Sequence, residues 1–177
     1  MGLLDKIESK SVLVIGDVML DIYYNGEICR ISPEAPVPVF RKKSERSVLG
    51  GAANVASNLA AVGQIVSVLT VIGEDENGRK ILQYFANKHI NTNLVMRQNR
   101  DTTVKVRFLA NNNQQIMRLD IENTEEITAD TGRTLLSQLE KEIDKFQLIV
   151  ISDYLKGLLS YEFLQKILEI AKSKGIP

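Results

Sequence analysis

The chain has 177 residues, enough to bury one substantial core, and its 44% hydrophobic and 25% charged residues are ordinary for a globular protein. Lysine plus arginine and aspartate plus glutamate both number 22, so charge favours neither nucleic acid nor an anionic membrane as the partner, and a small molecule is expected. One cysteine, Cys29, and one histidine, His89, exclude a disulfide framework and thiolate or histidine-rich metal sites within a single chain.

Strand and helix patterns alternate along the sequence. Short apolar runs at 12–15, 67–72 and 148–151 are typical of strands buried on both faces. Helical periodicity marks 52–62, 79–88, 129–145 and 161–174, with Thr128 and Ser160 as N-caps of the last two and Gly175 ending the last. This alternation predicts an α/β fold with a doubly wound, mostly parallel sheet whose ligands lie at the carboxyl ends of the strands.

Two segments interrupt this alternation and predict a small β excursion over about 27–41 and 102–120. The first contains Pro33, Pro36 and Pro38, which permit only an edge strand or extended chain. In the second, two strand patterns flank an asparagine-rich turn, and apolar residues alternate with Lys105 and Arg107. The cationic face is consistent either with a solvated surface hairpin or with a lid over a ligand.

The stretch that begins at Gly50 and Gly51 leads directly into the helix pattern of 52–62. Glycine lets a ligand approach the main chain, and a helix start offers unpaired N–H donors. Asn54 would present its side-chain amide at the same place. The alternative is a simple turn followed by an ordinary packed helix.

The spacing Gly-Gly-Ala-x-Asn-x-Ala from Gly50, followed by Gly63 and Gly73, resembles the first signature of the ribokinase-like (PfkB) family of sugar kinases. The run 12–21, which ends in Asp21, is similar to that family's first strand and the acidic residue after it. Stretches 16–21, 30–39 and 113–120 resemble the kinase domain of the bacterial D-glycero-D-manno-heptose-7-phosphate kinases. The resemblance implies a ribokinase-like fold in which the β excursion forms a lid over the substrate and often a dimer contact.

The same resemblance implies an activity. ATP, with Mg²⁺, would phosphorylate the anomeric hydroxyl of a heptose 7-phosphate, giving the 1,7-bisphosphate used to make ADP-heptose for lipopolysaccharide. A sugar phosphate is therefore the expected partner, with no nucleic acid or membrane, and a homodimer through the lid is possible within the family. Since no apolar run could span a bilayer and no signal-peptide pattern is present, a cytoplasmic location is expected.

Candidate sugar ligands follow the predicted strands. The resemblance assigns hydroxyl binding to Asp21. Asp17 is as well suited to capping its loop as to binding a sugar hydroxyl. Asp153 leaves the third apolar run where the family places substrate contacts, and Lys156 nearby is either a phosphate ligand or a solvated cation.

The phosphate of the substrate needs cations from the lid segments, where basic residues are Arg30, Lys105, Arg107 and Arg118. Arg107 is the first choice and Lys105 the second. The predicted binding set is thus Asp21, Gly50, Gly51, Asn54, Lys105, Arg107 and Asp153.

Several family features are missing from the sequence. No Gly-Ala-Gly-Asp motif with its catalytic aspartate and no Asn-x-x-Glu motif occurs before Pro177, and no P-loop or dinucleotide motif is present. The expectation is that 1–177 is the N-terminal part of one kinase domain without its nucleotide-binding part, inactive alone, with the base beyond Pro177 and no metal ligands here. The alternatives are a kinase of another sugar or nucleoside, and a non-catalytic sugar-binding or dimerising module.

Overall fold

In the computed structural model, which describes residues 8–110 and 113–177, the chain forms two four-stranded sheets and four α-helices. The elements in chain order are β1 (Ser11–Gly16), β2 (Val18–Ile31), β3 (Pro38–Gly51), α1 (Ala52–Ala61), β4 (Ile65–Gly73), α2 (Glu76–Asn87), β5 (Asn91–Gln98), β6 (Val104–Ala110), β7 (Gln114–Ile121), α3 (Ala129–Glu142), a 3-10 turn (Ile143–Lys145), β8 (Leu148–Ser152) and α4 (Tyr161–Ser173).

Sheet A has the strand order β5-β4-β1-β8, and all of its strands are parallel. The three apolar runs predicted as strands correspond to β1, β4 and β8. The α/β class with a mostly parallel sheet is confirmed. β5 was not predicted, because five of its eight residues are polar and its apolar run, Leu94 to Met96, is only three residues long; it lies at the edge of the sheet.

The four predicted helices are present. Thr128 accepts a hydrogen bond from the backbone N–H of Thr131, and Ser160 accepts one from Phe163, so both predicted N-caps are confirmed. α2 begins three residues earlier than predicted, because Asp75 accepts the N–H of Gly78 and caps the helix there. No helix among the described residues has the length and apolar character needed to cross a membrane.

Sheet B has the order β3-β2-β6-β7, with β2 and β6 parallel and the other two pairings antiparallel. The predicted β excursion lies within this sheet, but the sheet is larger than predicted. Only one residue, Asp17, lies between the end of β1 and the start of β2 at Val18. At its other end the sheet continues along β3 to Gly51, directly before α1. Pro38 opens β3, the edge strand, as its missing N–H requires.

The apolar face of β2 and β6 in sheet B packs onto the rest of the chain. Val104 and Val106 are buried with Leu20 and Ile22 in one core that also contains side chains of sheet A, α1 and α2. A second core lies between the other face of sheet A and helices α3 and α4. The opposite, cationic face of sheet B therefore remains open, and it faces the start of α1.

Candidate functional site

A pocket of about 460 Å³ lies where the cationic face of sheet B meets the start of α1. Its lining includes six of the seven predicted site residues: Asp21, Gly50, Gly51, Asn54, Lys105 and Arg107. These residues come from β2, β3, α1 and β6, so the sheet pairing brings them together across long stretches of sequence. Asp153 does not line this pocket, and its neighbour Tyr154 does.

The two glycines make room mainly for other atoms of the protein. A Cβ on Gly50 would lie 2.5 Å from Oδ2 of Asp21, and one on Gly51 would lie 2.4 Å from the backbone oxygen of Asp17. Gly51 also has a φ of 55°, which disfavours any other residue. The expectation that these glycines directly admit a ligand is thus modified: they let the Asp21 carboxylate and the turn into α1 pack closely beside the pocket.

The start of α1 is suited to binding polar groups. No side chain caps this helix end, and its first turn contains no acidic residue. The N–H of Ala52 donates to the backbone oxygen of Asp17 at 2.9 Å, whereas the N–H groups that follow it have no side-chain acceptor and can donate to oxygens of a ligand. Asn54, in this first turn, is exposed and lines the pocket.

Asp21 and Arg107 form an ion pair inside the pocket. The guanidinium of Arg107 donates a hydrogen bond to Oδ1 of Asp21, and both side chains are about one-fifth exposed, at 22% and 18%. The hydrogen bond to Asp21, reinforced by its charge, raises the pKa of Arg107 above its ordinary value. The pair therefore presents one fixed carboxylate and one permanent cation to a ligand.

Lys105 belongs to a second group of charges at the side of the pocket. Its Nζ lies 3.1 Å from Oδ2 of Asp120, and Nε of Arg118 lies 2.9 Å from Oδ1 of the same carboxylate. Burial alone raises the pKa of Asp120, but the hydrogen bond from Lys105 and the two neighbouring cations outweigh it and lower the pKa. Lys156 bonds Glu122 at 2.8 Å and is 17% exposed, so the alternative of a solvated loop cation is wrong.

Asp17 has the loop-capping role. It is 4% exposed, and its Oδ2 accepts the backbone N–H groups of Tyr154 at 3.0 Å and Lys156 at 3.1 Å. Its Oδ1 accepts the N–H of Leu158 at 3.4 Å. These hydrogen bonds hold the loop after β8 in place, with Tyr154 at the pocket.

Asp153 is the predicted site residue that the pocket does not include. Its carboxylate accepts the N–H of Leu155 at 2.8 Å, and Leu155 has a φ of 56°. The next residue, Tyr154, lines the pocket instead. Arg30, another predicted candidate cation, is exposed at the end of β2 and does not line the pocket.

Besides Tyr154, the predicted set lacks Tyr23 and Arg100. Tyr23 lines the pocket on β2, and only the alternation of β2 with Asp21 two positions earlier could have suggested this. Arg100 donates to the backbone oxygens of Asn123 at 2.9 Å and Lys156 at 3.0 Å, and so ties together the loops that border the site. No local pattern indicates that role.

The described residues do not fit a metal site. Within 8–110 and 113–177, no group of three or more His, Cys, Asp or Glu side chains is arranged to hold a metal ion. The carboxylates beside the pocket are instead paired with lysine and arginine. The Mg²⁺ that the resemblance implies therefore has no such cluster of ligands among the residues that the structure describes.

The family profile described as pfkB family carbohydrate kinase matches residues 9–177. The bifunctional protein HldE of Geobacter sulfurreducens is 46% identical over 168 residues, which cover 94% of this chain and 34% of that protein. The D-beta-D-heptose 7-phosphate kinase of Bordetella bronchiseptica is 40% identical over 173 residues, which cover 98% of this chain and 54% of that protein.

The fold is shared with solved kinase structures. A putative phosphofructokinase from Staphylococcus aureus matches with a TM-score of 0.75 at 17% identity, covering 93% of this chain and 50% of that one. The ribokinase of Arabidopsis thaliana, complexed with ribose and ATP, matches with a TM-score of 0.66 at 16% identity, covering 96% and 52%. The chain thus spans between a third and just over half of the length of these relatives.

Proposed function

Because the chain belongs to the pfkB family of carbohydrate kinases, we propose that it forms the sugar-binding part of an ATP-dependent sugar kinase. Its proposed substrate is D-glycero-D-manno-heptose 7-phosphate, phosphorylated at the anomeric hydroxyl to the 1,7-bisphosphate. The observation that carries the proposal is the pocket that joins a carboxylate, a glycine turn, an amide and two cations.

The polar half of the pocket suits a sugar. Carboxylate and amide groups of Asp21 and Asn54 can accept and donate hydrogen bonds to neighbouring hydroxyls, and the uncapped start of α1 adds N–H donors. A volume of about 460 Å³ falls in the range of small-molecule sites. Asp153 is replaced in the proposed contact set by Tyr154, which lines the pocket.

The cationic half of the pocket suits a phosphate. Lys105 and Arg107 project from alternate positions of β6 on the pocket face, and arginine binds phosphate through two parallel hydrogen bonds. A pocket for an unphosphorylated sugar has no need of such cations. This favours a sugar phosphate over a free sugar or a nucleoside.

ATP and Mg²⁺ are the phosphoryl donor and metal that the family implies. We propose that the nucleotide ligands and the catalytic base come from sequence outside these 177 residues, so that the chain alone binds the sugar without transferring phosphate. A cytoplasmic location remains a prediction from sequence.

The substrate proposal is tested by isothermal titration of the chain with heptose 7-phosphate, fructose 6-phosphate, ribose and adenosine. We expect heptose 7-phosphate to bind most tightly. Asp21→Asn should weaken that binding by about tenfold or more, as loss of a charged hydrogen bond does, whereas Asp153→Asn, outside the pocket, should leave it unchanged. Tighter binding of another compound would transfer the proposal to that substrate, and no binding of any sugar would refute it.

A specific observation also favours a dimerising role, which is compatible with the first. On the apolar face of β7, Met117, Leu119 and Ile121 are 52%, 46% and 37% exposed, beside the buried residues of β6. We propose that this face forms a homodimer contact. Sedimentation velocity should detect a dimer that Leu119→Lys dissociates; a monomeric wild-type chain at high concentration would refute the contact.

A further inference from the structure

Glu122 is the point at which sheet B meets the loop after β8. It follows Ile121, the last residue of β7, and its carboxylate lies 2.8 Å from Nζ of Lys156 in that loop. Among residues 8–110 and 113–177, each of the other ion pairs joins two residues on the same side of this boundary. In the described part of the chain, one ionic contact therefore links sheet B to the rest of the fold.

Lys156 projects from a fixed main chain. Its backbone N–H donates to Oδ2 of Asp17 at 3.1 Å, and its backbone oxygen accepts a hydrogen bond from Arg100 at 3.0 Å. The next residue, Gly157, packs so closely that a Cβ there would overlap the backbone oxygen of Glu125. Because the main chain is held on both sides of Lys156, a movement of sheet B changes the distance between its ammonium group and Glu122.

The carboxylate of Glu122 is shared between two lysines and incompletely bonded. Its Oε2 lies 2.8 Å from Nζ of Lys156 and 3.7 Å from Nζ of Lys105, yet it is buried and accepts no hydrogen bond from the described residues. The distance to Lys156 is short enough for a hydrogen bond, so the direction of approach is what prevents one. A buried acceptor without a donor is costly, and a small movement that aligns one ammonium group with Oε2 would be favourable.

Lys105 connects this carboxylate to the pocket. It lines the pocket from β6, and its ammonium group also lies 3.1 Å from Oδ2 of Asp120. A bound ligand with an oxygen that accepts a hydrogen bond from Lys105 would draw this ammonium group toward the pocket. Oε2 of Glu122 would then have Lys156 as its cationic partner, and the end of β7 would move toward the loop to complete that hydrogen bond.

We propose that Glu122 and Lys156 form a latch that fixes the tilt of sheet B when the pocket is occupied. Glu122 moves with the sheet, Lys156 stays with the loop, and Lys105 responds to the ligand. Neither Glu122 nor Lys156 lines the pocket, so both are positioning residues. The inference rests on the proposed function, because a sugar phosphate is the ligand that would operate the latch, and it adds the contact that couples binding to the position of the sheet.

The single cysteine of the chain allows the tilt to be measured directly. Cys29 is exposed toward the far end of β2, about 36 Å from Val18 at about 3.3 Å per residue, and Glu169 is exposed on α4. Spin labels on Cys29 and on Glu169→Cys report their separation by double electron-electron resonance, with labelled chains diluted in unlabelled chains to exclude distances between copies. A tilt of about 10° would move Cys29 by about 6 Å.

Saturating D-glycero-D-manno-heptose 7-phosphate should narrow the wild-type distance distribution and shift it by about 3 to 6 Å. Glu122→Gln and Lys156→Met should each leave the distribution broad with and without ligand, and should weaken binding by about threefold to tenfold. The double variant should be no weaker than either single one, because both remove the same contact. Lys156→Arg keeps the charge and should retain the shift. Glu142→Gln, at a glutamate of similar exposure that pairs with Lys145 outside sheet B, is the matched control and should behave as wild type.

The outcomes separate the latch from the substrate proposal. If heptose 7-phosphate binds without changing the label distance, or if Glu122→Gln shows the wild-type shift, the latch is refuted and the substrate stands. If fructose 6-phosphate binds instead and produces the shift, the latch stands and the heptose assignment fails. If no sugar phosphate binds, both are refuted. Melting temperatures within a few degrees of wild type establish that each variant is folded, and a merely structural role of the pair would lower them while leaving the shift intact.

Discussion

Replacement of Asp17 tests whether a buried carboxylate organises the loop that borders the pocket. Asp17 is 4% exposed and forms no ion pair with any residue that the structure describes. Its stabilising partners are backbone N–H groups: two on Oδ2 at 3.0 and 3.1 Å, and one on Oδ1 at 3.4 Å. In Asp17→Ala all three donors lose their acceptor.

The size of the effect follows from these distances. A hydrogen bond to a charged group contributes about 1.5 to 3 kcal/mol, so the two short bonds contribute about 3 kcal/mol at the low end, and the long one adds little. Removing the charge also removes its desolvation cost, which offsets part of the loss. We expect Asp17→Ala to lower the free energy of unfolding by about 2 to 4 kcal/mol.

Asp17→Asn removes the negative charge but keeps one side-chain oxygen as a hydrogen-bond acceptor. An amide oxygen in the place of Oδ2 keeps both short hydrogen bonds but loses their charge assistance, so the expected cost is about 1 to 2 kcal/mol. Asp153→Ala is the control, because Asp153 accepts one local bond from Leu155 at the surface and should cost less than about 0.5 kcal/mol.

Urea denaturation followed by circular dichroism measures these differences, with the slope m unchanged if only stability is altered. Hydrogen exchange of the Tyr154 and Lys156 amides should accelerate in Asp17→Ala before other amides do. The reasoning is refuted if Asp17→Ala costs less than about 1 kcal/mol, or no more than the Asp153 control.

Three further predictions concern stability, acid sensitivity and the pocket. Gly51→Ala should cost about 3 kcal/mol or more, because φ is 55° and the new Cβ meets a backbone oxygen at 2.4 Å, whereas Gly63→Ala, at φ 85° with open space around it, should cost only about 1 kcal/mol; equal costs in denaturant melts would contradict the steric argument. Burial alone would raise the pKa of Asp75, but hydrogen bonds from backbone N–H groups and a hydroxyl group outweigh it and lower the pKa. The stabilisation that Asp75 contributes is therefore present above the ordinary carboxyl pKa and is lost as pH falls through the lowered value. The stability difference between wild type and Asp75→Asn should therefore shrink below about pH 4, and a difference independent of pH would exclude this role. Gly50→Ala places a Cβ 2.5 Å from the Asp21 carboxylate and should weaken sugar binding measured by calorimetry by about tenfold with a smaller effect on melting temperature; unchanged affinity would show that Asp21 is not a ligand.

Features encoded by neighbouring residues could be predicted from the sequence. The N-caps Thr128 and Ser160 bind N–H groups three positions along the chain, so local sequence determines them. The central strands of sheet A are continuous apolar runs because both of their faces are buried. β5 lies at an edge with a polar sequence, and no local signal marks it.

Features that depend on distant pairing could not be predicted. Asp17 binds N–H groups 137 to 141 positions away, so its loop role could not be separated from a ligand role in advance. The stacking of Arg46 on Tyr23 requires the register of β2 with β3, which is shifted by an irregularity after Asn25. Tyr154 rather than Asp153 lines the pocket, in a loop whose N–H groups are bound by Asp17 at the end of β1, far away in the sequence.

All four connections between sheet B and the rest of the chain lie at one end of the sheet. The chain passes between this sheet and the rest of the fold at Val18, Gly51, Val104 and Ile121. Val18 pairs with Gly51, and Val104 pairs with Ile121 and with Leu20, two residues farther along β2. With a rise of about 3.3 Å per residue, a tilt of about 10° about that end moves the row of Asp21 by about 2 Å and the row of Tyr23 by about 3 Å. The hydroxyl of Tyr84 in α2 donates a hydrogen bond to the backbone oxygen of Ser47 in β3 at 3.0 Å, which links this sheet to α2. A tilt of this kind would displace the guanidinium groups in the row of Tyr23 farther than Gly51, so contacts at the start of α1 would change least.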